Sequence, residues 1–193
     1  TDGRIDTGSI DIRVAQLDVQ PIDGPDLPVI DQAHLHLEGQ VGLDSRVVTL
    51  RTIDAHLPGL RLSGAGQFHT DLLSGQWLAG QQLHLSGVVN PRSVLALLGE
   101  PSGSMPLEAD GEIQLEINYD RLDRQLVGHV AVDASAATVS AGGRTLKKAG
   151  ETLRCVLQAS CKSHTWQFIA DHTEVQLGGN RFVGTGAIDN IRR

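Results

Sequence analysis

Large aromatic side chains are scarce in this sequence, making up 3% of 193 residues although 40% of the residues are hydrophobic. The six rings belong to Phe68, Trp77, Tyr119, Trp166, Phe168 and Phe182. Compact cores normally draw much of their buried area from such rings. Because the apolar residues here are mostly Leu, Val, Ile and Ala, any core must be assembled from many small aliphatic contacts.

Basic clusters and long hydrophobic runs are also missing. The chain has 16 Lys and Arg against 23 Asp and Glu, and its net charge is -7. The basic residues are scattered singly, so neither nucleic acid nor an anionic bilayer surface is an expected partner. The longest uncharged stretch, residues 72–91, contains Gly, Gln, His84 and Asn90, which excludes a membrane-spanning helix. The first ten residues show no signal-peptide core, and we expect a soluble piece of a longer protein.

Apolar and polar residues alternate with a period of two through most of the chain, a pattern typical of half-buried β-strands. Turn signals separate the runs, as at Pro58-Gly59, at Asp120 with Asp123, and at Gly178-Gly179. We therefore predict an all-β fold, a curved and mainly antiparallel sheet or groove of the β-taco type. Residues 1–193 are expected to form a single domain, which divides, if at all, into sub-units 1–99 and 100–193.

One segment departs from the alternating pattern. Asn90 is suited to cap a helix, Pro91 to occupy its first position and Gly99 to end it. Apolar residues at helical spacing lie between them: Val94, Leu95 and Leu98. We predict a short helix near residues 91–98 whose apolar stripe covers part of the sheet.

Glycine recurs on the apolar side of the strands. Leu62, Gly64 and Gly66 share one face, because strand side chains alternate between faces. Residues 61–68 and 181–188 carry the same Arg and Gly positions, although the spacing of all such glycines is unequal and predicts no fixed-period solenoid. Two interpretations remain open: the glycines make room inside a closed sandwich, or they let a sheet bend around an open apolar face.

The open-sheet interpretation predicts a groove that holds an acyl chain. We expect the following residues to line it: Leu35, Leu37, Leu60, Leu62, Phe68, Leu83, Leu85, Ile113, Leu115, Ile117, Leu126, Val130, Phe168, Leu177 and Phe182. Because no basic cluster is available to fix a phosphate, such a groove would select for apolar chains rather than for a head group.

No motif indicates a metal site, a cofactor or a catalytic centre, and we expect a protein that is not an enzyme. His34 and His36 share one strand face, but that face is polar and has no associated Cys or carboxylate cluster, so exposed histidines are the expectation. The chain lacks a Gly-x-Ser-x-Gly nucleophile motif. The carboxylates of Asp120 and Asp123 are interpreted as turn formers.

The two cysteines, Cys155 and Cys161, allow two arrangements. If one strand runs through both, they lie about 20 Å apart and do not bond. If a hairpin turns near residues 158–160, they face each other and form a disulfide in an oxidising compartment. Their spacing matches neither a redox motif nor a zinc motif.

Several segments resemble the AsmA-like proteins of the Gram-negative envelope. They are residues 57–66, the run Leu83-His84-Leu85-Ser86-Gly87, residues 90–99, and residues 175–186. In that family a strand with a Gly-rich bend leads to a short Pro-Arg-Leu-Leu-Leu-Gly-like helix and then to further strands. The resemblance covers roughly residues 46–189 and extends in style to the TamB-type β-groove proteins.

The resemblance implies a periplasmic part of a protein that an N-terminal helix, missing from this sequence, anchors in the inner membrane. It also implies a contribution to outer-membrane biogenesis through the handling of phospholipids or other acyl-chain lipids, with the remainder of the parent chain as a further partner. The alternative from a different class is a structural or interaction module with a closed core and no ligand.

Overall fold

The computed structural model describes residues 4–5, 8–17, 30–42, 47–69, 82–98, 107–122, 125–162 and 167–188. Nearly all of them lie in strands, which confirms the predicted all-β class. The strands are β1 (Arg4–Ile5), β2 (Ser9–Leu17), β3 (Ile30–Gly42), β4 (Val47–Leu57), β5 (Leu60–His69), β6 (Gln82–Val89), β7 (Leu107–Asp110), β8 (Ile113–Leu122), β9 (Gln125–Asp133), β10 (Thr138–Ala141), β11 (Arg144–Lys147), β12 (Leu153–Lys162), β13 (Gln167–Leu177) and β14 (Asn180–Ile188). The helix α1 spans Pro91–Leu98.

Most strands form one large antiparallel sheet of 11 strands in the order β1-β3-β4-β5-β6-β8-β9-β12-β13-β14, with β2 also pairing with β3. Since β4 occupies the other side of β3, β1 and β2 follow one another along the same edge. The described sheet is open, because β14 at the far end does not pair back onto this edge. The predicted curved antiparallel sheet with one short helix is thus the observed architecture.

A smaller sheet of β7, β10 and β11 stands beside the point where β9 leaves the large sheet. The connecting bend is held by Lys147, which is 4% exposed. Its Nζ donates hydrogen bonds to the carbonyl oxygens of Ser135 (3.0 Å), Ala137 (2.6 Å) and Lys148 (3.1 Å). A buried cation needs such partners. The Ser135 and Lys148 carbonyls also accept backbone N–H groups, from Gly150 (2.9 Å) and Glu151 (3.2 Å), whereas the bond to Ala137 is the shortest of the three that Lys147 donates.

The helix α1 begins where the sequence predicts. The Ser93 N–H donates to Oδ1 of Asn90 at 3.2 Å, which is the expected N-terminal cap, and Pro91 takes the first helical position. The Asn90 N–H donates to the Gly59 carbonyl at 2.6 Å, so the cap ties the helix to the β4–β5 turn. Of the remaining residues in this prediction, Gly99 lies outside the described residues, and so do the side chains of Val94 and Leu98.

Two sequence interpretations need correction. Asp120 is not in a turn: it lies in β8, opposite Gln82 and Val127, because β8 continues to Leu122 before the chain reverses. Asp123 lies outside the described residues.

The disulfide alternative is also wrong for this structure, in which Cys155 and Cys161 are free. No hairpin turns near residue 159, because β12 runs through both cysteines and pairs with β9 and β13 along its length. Six residues of extended strand separate the thiols by about 20 Å, which is beyond disulfide reach.

The same three-strand arrangement occurs twice in the large sheet, as an internal repeat. Strands β12, β13 and β14 reproduce the pairings of β3, β4 and β5 at a constant offset of 120 residues, a period that the glycine spacing did not predict. Each copy contains a β-bulge at the same place, where Arg51 in β4 and Asp171 in β13 are extra residues that break the register. The repeat therefore includes backbone irregularities as well as strand order.

Candidate functional site

All of the residues expected to line a groove lie on one face of the large sheet, which we call the apolar face. The strand register connects them laterally: Leu85 is opposite Ile117, and Ile117 is opposite Val130. At the β14 end, Phe168 is opposite both Cys161 and Ile188. The same face continues from β2 to β14, across ten strand positions.

The sequence pattern missed the contribution of β4 to the apolar face. The register places these β4 residues on it: Val48, Leu50, Ile53, Ala55 and Leu57. The bulge at Arg51 shifts the alternation by one residue, so the apolar positions change from even to odd numbers within one strand. Two short alternating runs joined by a one-residue shift are the signal that would have identified them.

The apolar face is only partly shielded from solvent. In β5 and β6 its side chains, such as Leu62 and Leu85, are half-buried, whereas the side chains on the opposite, polar face, such as Ser63 and Ser86, are exposed. Among the described residues no large side chain is fully buried, and the buried apolar residues are Pro91 in the helix and four alanines: Ala131, Ala134, Ala137 and Ala159. The described part of the chain thus has no second layer packed over the apolar face.

Two glycines show what the recurring Gly positions do. A Cβ at Gly64 would overlap the carbonyl oxygen of His84, and a Cβ at Gly87 would overlap that of Arg61. Both obstructing groups belong to the neighbouring strand of the same sheet, not to an opposing layer. The glycines therefore permit close approach of adjacent strands on the apolar side, which favours the bent-sheet interpretation over the closed sandwich.

The apolar face has few polar groups. By register, Tyr119 and Arg121 lie at its rim, opposite Leu83 and Leu126 respectively, and Arg121 is the one cation on the described part of this face. Burial raises the pKa of the Tyr119 phenol above its ordinary value. A single rim cation is not a cluster that could bind a phosphate from several sides.

The polar face carries hydrogen-bonded pairs of side chains on neighbouring strands. Nδ1 of His36 lies 2.9 Å and Nε2 of His34 lies 3.3 Å from Oδ1 of Asp11, and these hydrogen bonds lower the pKa of that carboxyl group. Arg181 donates two hydrogen bonds of 2.8 Å to Glu174, which lowers the Glu174 pKa to about 2. These pairs are structural contacts across neighbouring strands rather than a reactive constellation.

A depression of about 380 Å³ also lies on the polar side of the central strands, where no site was predicted. Its lining includes Ser86, Glu116, Asp133 and Arg154. Hydrogen bonds from Ser135 lower the pKa of the Asp133 carboxyl group. The mixed charges of this depression do not suit an apolar ligand, so it is distinct from the apolar face.

In the part of the chain that the structure describes, no group of three or more His, Cys, Asp or Glu side chains could hold a metal ion. Within that part, no helix has the length and apolar character to cross a bilayer.

Comparisons of the chain with protein-family models, curated proteins and solved structures found no match. The resemblance to AsmA-like proteins stays a prediction.

Proposed function

We propose that this chain holds the acyl chains of lipids against its apolar face, as a non-enzymatic lipid-handling segment of an AsmA-like protein. The observation that carries the proposal is a continuous apolar face across an open sheet, with half-buried aliphatic side chains and no described layer over it. The proposed setting is the periplasm, in a protein anchored in the inner membrane that contributes to outer-membrane biogenesis.

The dimensions and chemistry of the apolar face suit an acyl chain. At about 4.8 Å per strand, ten strand positions give a face roughly 43 Å wide, measured along the sheet. Each methylene group that leaves water for this face contributes about 0.8 kcal/mol. Neither binding nor release of an acyl chain requires a nucleophile, a metal or a cofactor, so both would proceed without making or breaking covalent bonds.

In this proposal, selectivity comes from the acyl chain of the lipid rather than from its head group. Leu, Val, Ile and Phe supply the contacts, and by register Arg121 is the one described cation on the face. A head group would therefore stay at the rim or in solvent, where its charge remains hydrated. Lipids with different head groups and equal acyl chains should bind with similar affinity.

Site-specific photocrosslinking tests the proposal directly. A benzophenone amino acid replaces Leu85 or Ile117, which are cross-strand neighbours on the apolar face. The matched controls replace Ser86 and Glu116, the adjacent cross-strand pair on the polar face. With radiolabelled phospholipid vesicles, we expect labelling at the first pair and background labelling at the second. Equal labelling of both faces, or none at the first pair, would overturn the proposal.

Native mass spectrometry of protein extracted from cells provides a second test. Co-purifying lipid should be seen with the intact chain and lost when Leu85 and Ile117 are both replaced by Asp. The closed-core alternative predicts no lipid in either sample. That alternative has little support from the geometry, since the described sheet is open and its buried apolar residues are two alanines, Ala131 and Ala159.

A further inference from the structure

The strand at the far end of the large sheet, β14, presents an exposed edge with apolar side chains. Phe182, Val183 and Ile188 are 60%, 56% and 60% exposed. Natural edge strands usually carry Lys, Pro or inward-facing charges that prevent pairing with another chain. β14 contains none of these, and its one charged side chain, Arg181, is bound to Glu174. Its composition is that of a strand that accepts a neighbour.

The internal repeat indicates which kind of strand would pair with the outer edge of β14. β14 is the counterpart of β5, a strand in the interior of the sheet, with Gly184 and Gly186 at the positions of Gly64 and Gly66. In both hairpins the bulge of the preceding strand lies opposite the interval between the two glycines. The second neighbour of β5 therefore indicates what the free edge of β14 is shaped to receive.

That second neighbour is β6. It places Leu85 opposite Gly64 and Leu83 opposite Gly66, in antiparallel register. The approach is so close that a Cβ at Gly64 would overlap the carbonyl oxygen of His84, and Cδ2 of Leu85 would be 2.9 Å from it. At β5, Gly64 is thus required by the strand that lies beside it. A Cβ at Gly66 would first meet the Phe68 ring of β5 itself, 2.8 Å away, and then the Gln82 carbonyl oxygen of β6 at 3.1 Å.

At β14 no described strand lies beside the corresponding glycines. A Cβ at Gly184 or Gly186 would meet nothing within 4 Å. Glycine in a strand interior weakens the strand and often marks a place where another backbone approaches closely. We propose that the free edge of β14 binds an antiparallel strand of the β6 type, a segment with bulky aliphatic residues at two alternate positions opposite Gly184 and Gly186.

The partner strand is a separate extended segment rather than a second copy of this chain. In every molecule of this protein, β6 is already paired on both sides, by β5 and β8. The edge formed by β1 and β2 corresponds in the repeat to β9, not to β6, because β2 pairs with β3 at the register with which β9 pairs with β12. Pairing of β14 with a β6-type strand would extend the apolar face by one strand and does not depend on lipid binding.

Backbone amides of β14 report the pairing. Leu177 and Asn180 flank a two-residue turn and close the hairpin, and hydrogen-bonded pairs then alternate along the ladder. The N–H groups of Arg181 and Val183 consequently point away from β13, towards the free edge. In the chain alone they should exchange with solvent rapidly.

Residue-resolved hydrogen exchange of the full chain is the test. The probe is a synthetic peptide with the β6 sequence, Gln82–Val89, added in excess. We expect exchange of the Arg181 and Val183 amides to slow at least tenfold. The control peptide carries L83D and L85D, which removes the aliphatic groups opposite the glycines, and it should leave exchange unchanged.

A protein variant tests the same edge. Val183→Pro removes an outward N–H that β13 does not use, and proline is tolerated in edge strands; the peptide should then no longer slow exchange at Arg181. If this variant does not fold, an N-methylated β6 peptide serves instead and should have no effect. No slowing with the β6 peptide, equal slowing with the aspartate peptide, or slow exchange caused by self-association without peptide would each overturn the proposal.

Discussion

Leu62 lies directly opposite Gly87, and its Cδ2 occupies the space beside the glycine, so that a Cβ at residue 87 would stand 2.6 Å from it. The same Cβ would overlap the carbonyl oxygen of Arg61. The leucine side chain covers the glycine of the neighbouring strand with apolar surface, and the absent Cβ lets the two strands approach closely. This relationship links the composition of the chain, rich in Leu and Gly and poor in aromatics, to the shape of its sheet.

Replacement of Gly87 by Ala should therefore destabilise the fold. The added methyl group meets backbone as well as a side chain, so we expect a loss of about 1–3 kcal/mol in the free energy of unfolding. Urea unfolding followed by circular dichroism measures it. Gly184→Ala is the matched control, because a Cβ there meets nothing within 4 Å, and it should change stability by less than about 0.5 kcal/mol. Equal losses in the two variants would contradict the steric role of Gly87.

The buried amine of Lys147 should be important for the bend after β9. Lys147→Ala removes the buried 2.6 Å hydrogen bond to the Ala137 carbonyl, at a cost of about 1–3 kcal/mol for a buried unsatisfied group, while the Ser135 and Lys148 carbonyls keep backbone donors. Lys148→Ala is the control, since Lys148 is exposed. Thermal unfolding should show a lower midpoint for the first variant and an almost unchanged midpoint for the second. A similar midpoint for both would show that water replaces the lysine without cost.

The Glu174–Arg181 pair predicts a dependence of stability on acid. The folded-state pKa of Glu174 is lowered from 4.5 to about 2, chiefly by its hydrogen bonds with Arg181. A lowered carboxyl pKa contributes stability above the unfolded-state value, and this contribution is lost as the pH falls from about 4.5 to about 2.

NMR titration of the Glu174 carboxyl group measures that pKa. In Arg181→Gln we expect the pKa to rise towards 4.5, while the control Arg144→Gln, at an exposed residue that begins β11, should leave it unchanged. An unaltered titration in Arg181→Gln would mean that the bidentate contact is not formed in solution.

The free thiols of Cys155 and Cys161 predict a simple chemical result. Both lie in β12, about 20 Å apart along the extended strand, so neither can reach the other. Alkylation in denaturant without reductant should add two groups to each chain, as measured by mass spectrometry of the intact protein. A chain that accepts two groups only after reduction would contain the disulfide and would require a different path for β12.

Sequence patterns predicted the elements better than their arrangement. The N-cap at Asn90 and the turn at Gly178-Gly179 are local chemistry, and both were found where expected. The apolar positions of β4 were missed, because the extra residue Arg51 breaks the alternation that identifies a strand face. The role of Lys147 was also missed, since its three acceptors become neighbours only when the chain bends around it.

The sequence by itself determined that the chain forms strands with one apolar and one polar face, because side-chain alternation is a property of each strand alone. It also placed glycine on the apolar side. Only the tertiary structure decided that β12 runs through both cysteines, that the described sheet is open, and that β3 to β5 recur as β12 to β14. These features depend on hydrogen bonds between residues far apart in the chain, and the period-two pattern is the same whichever strands pair.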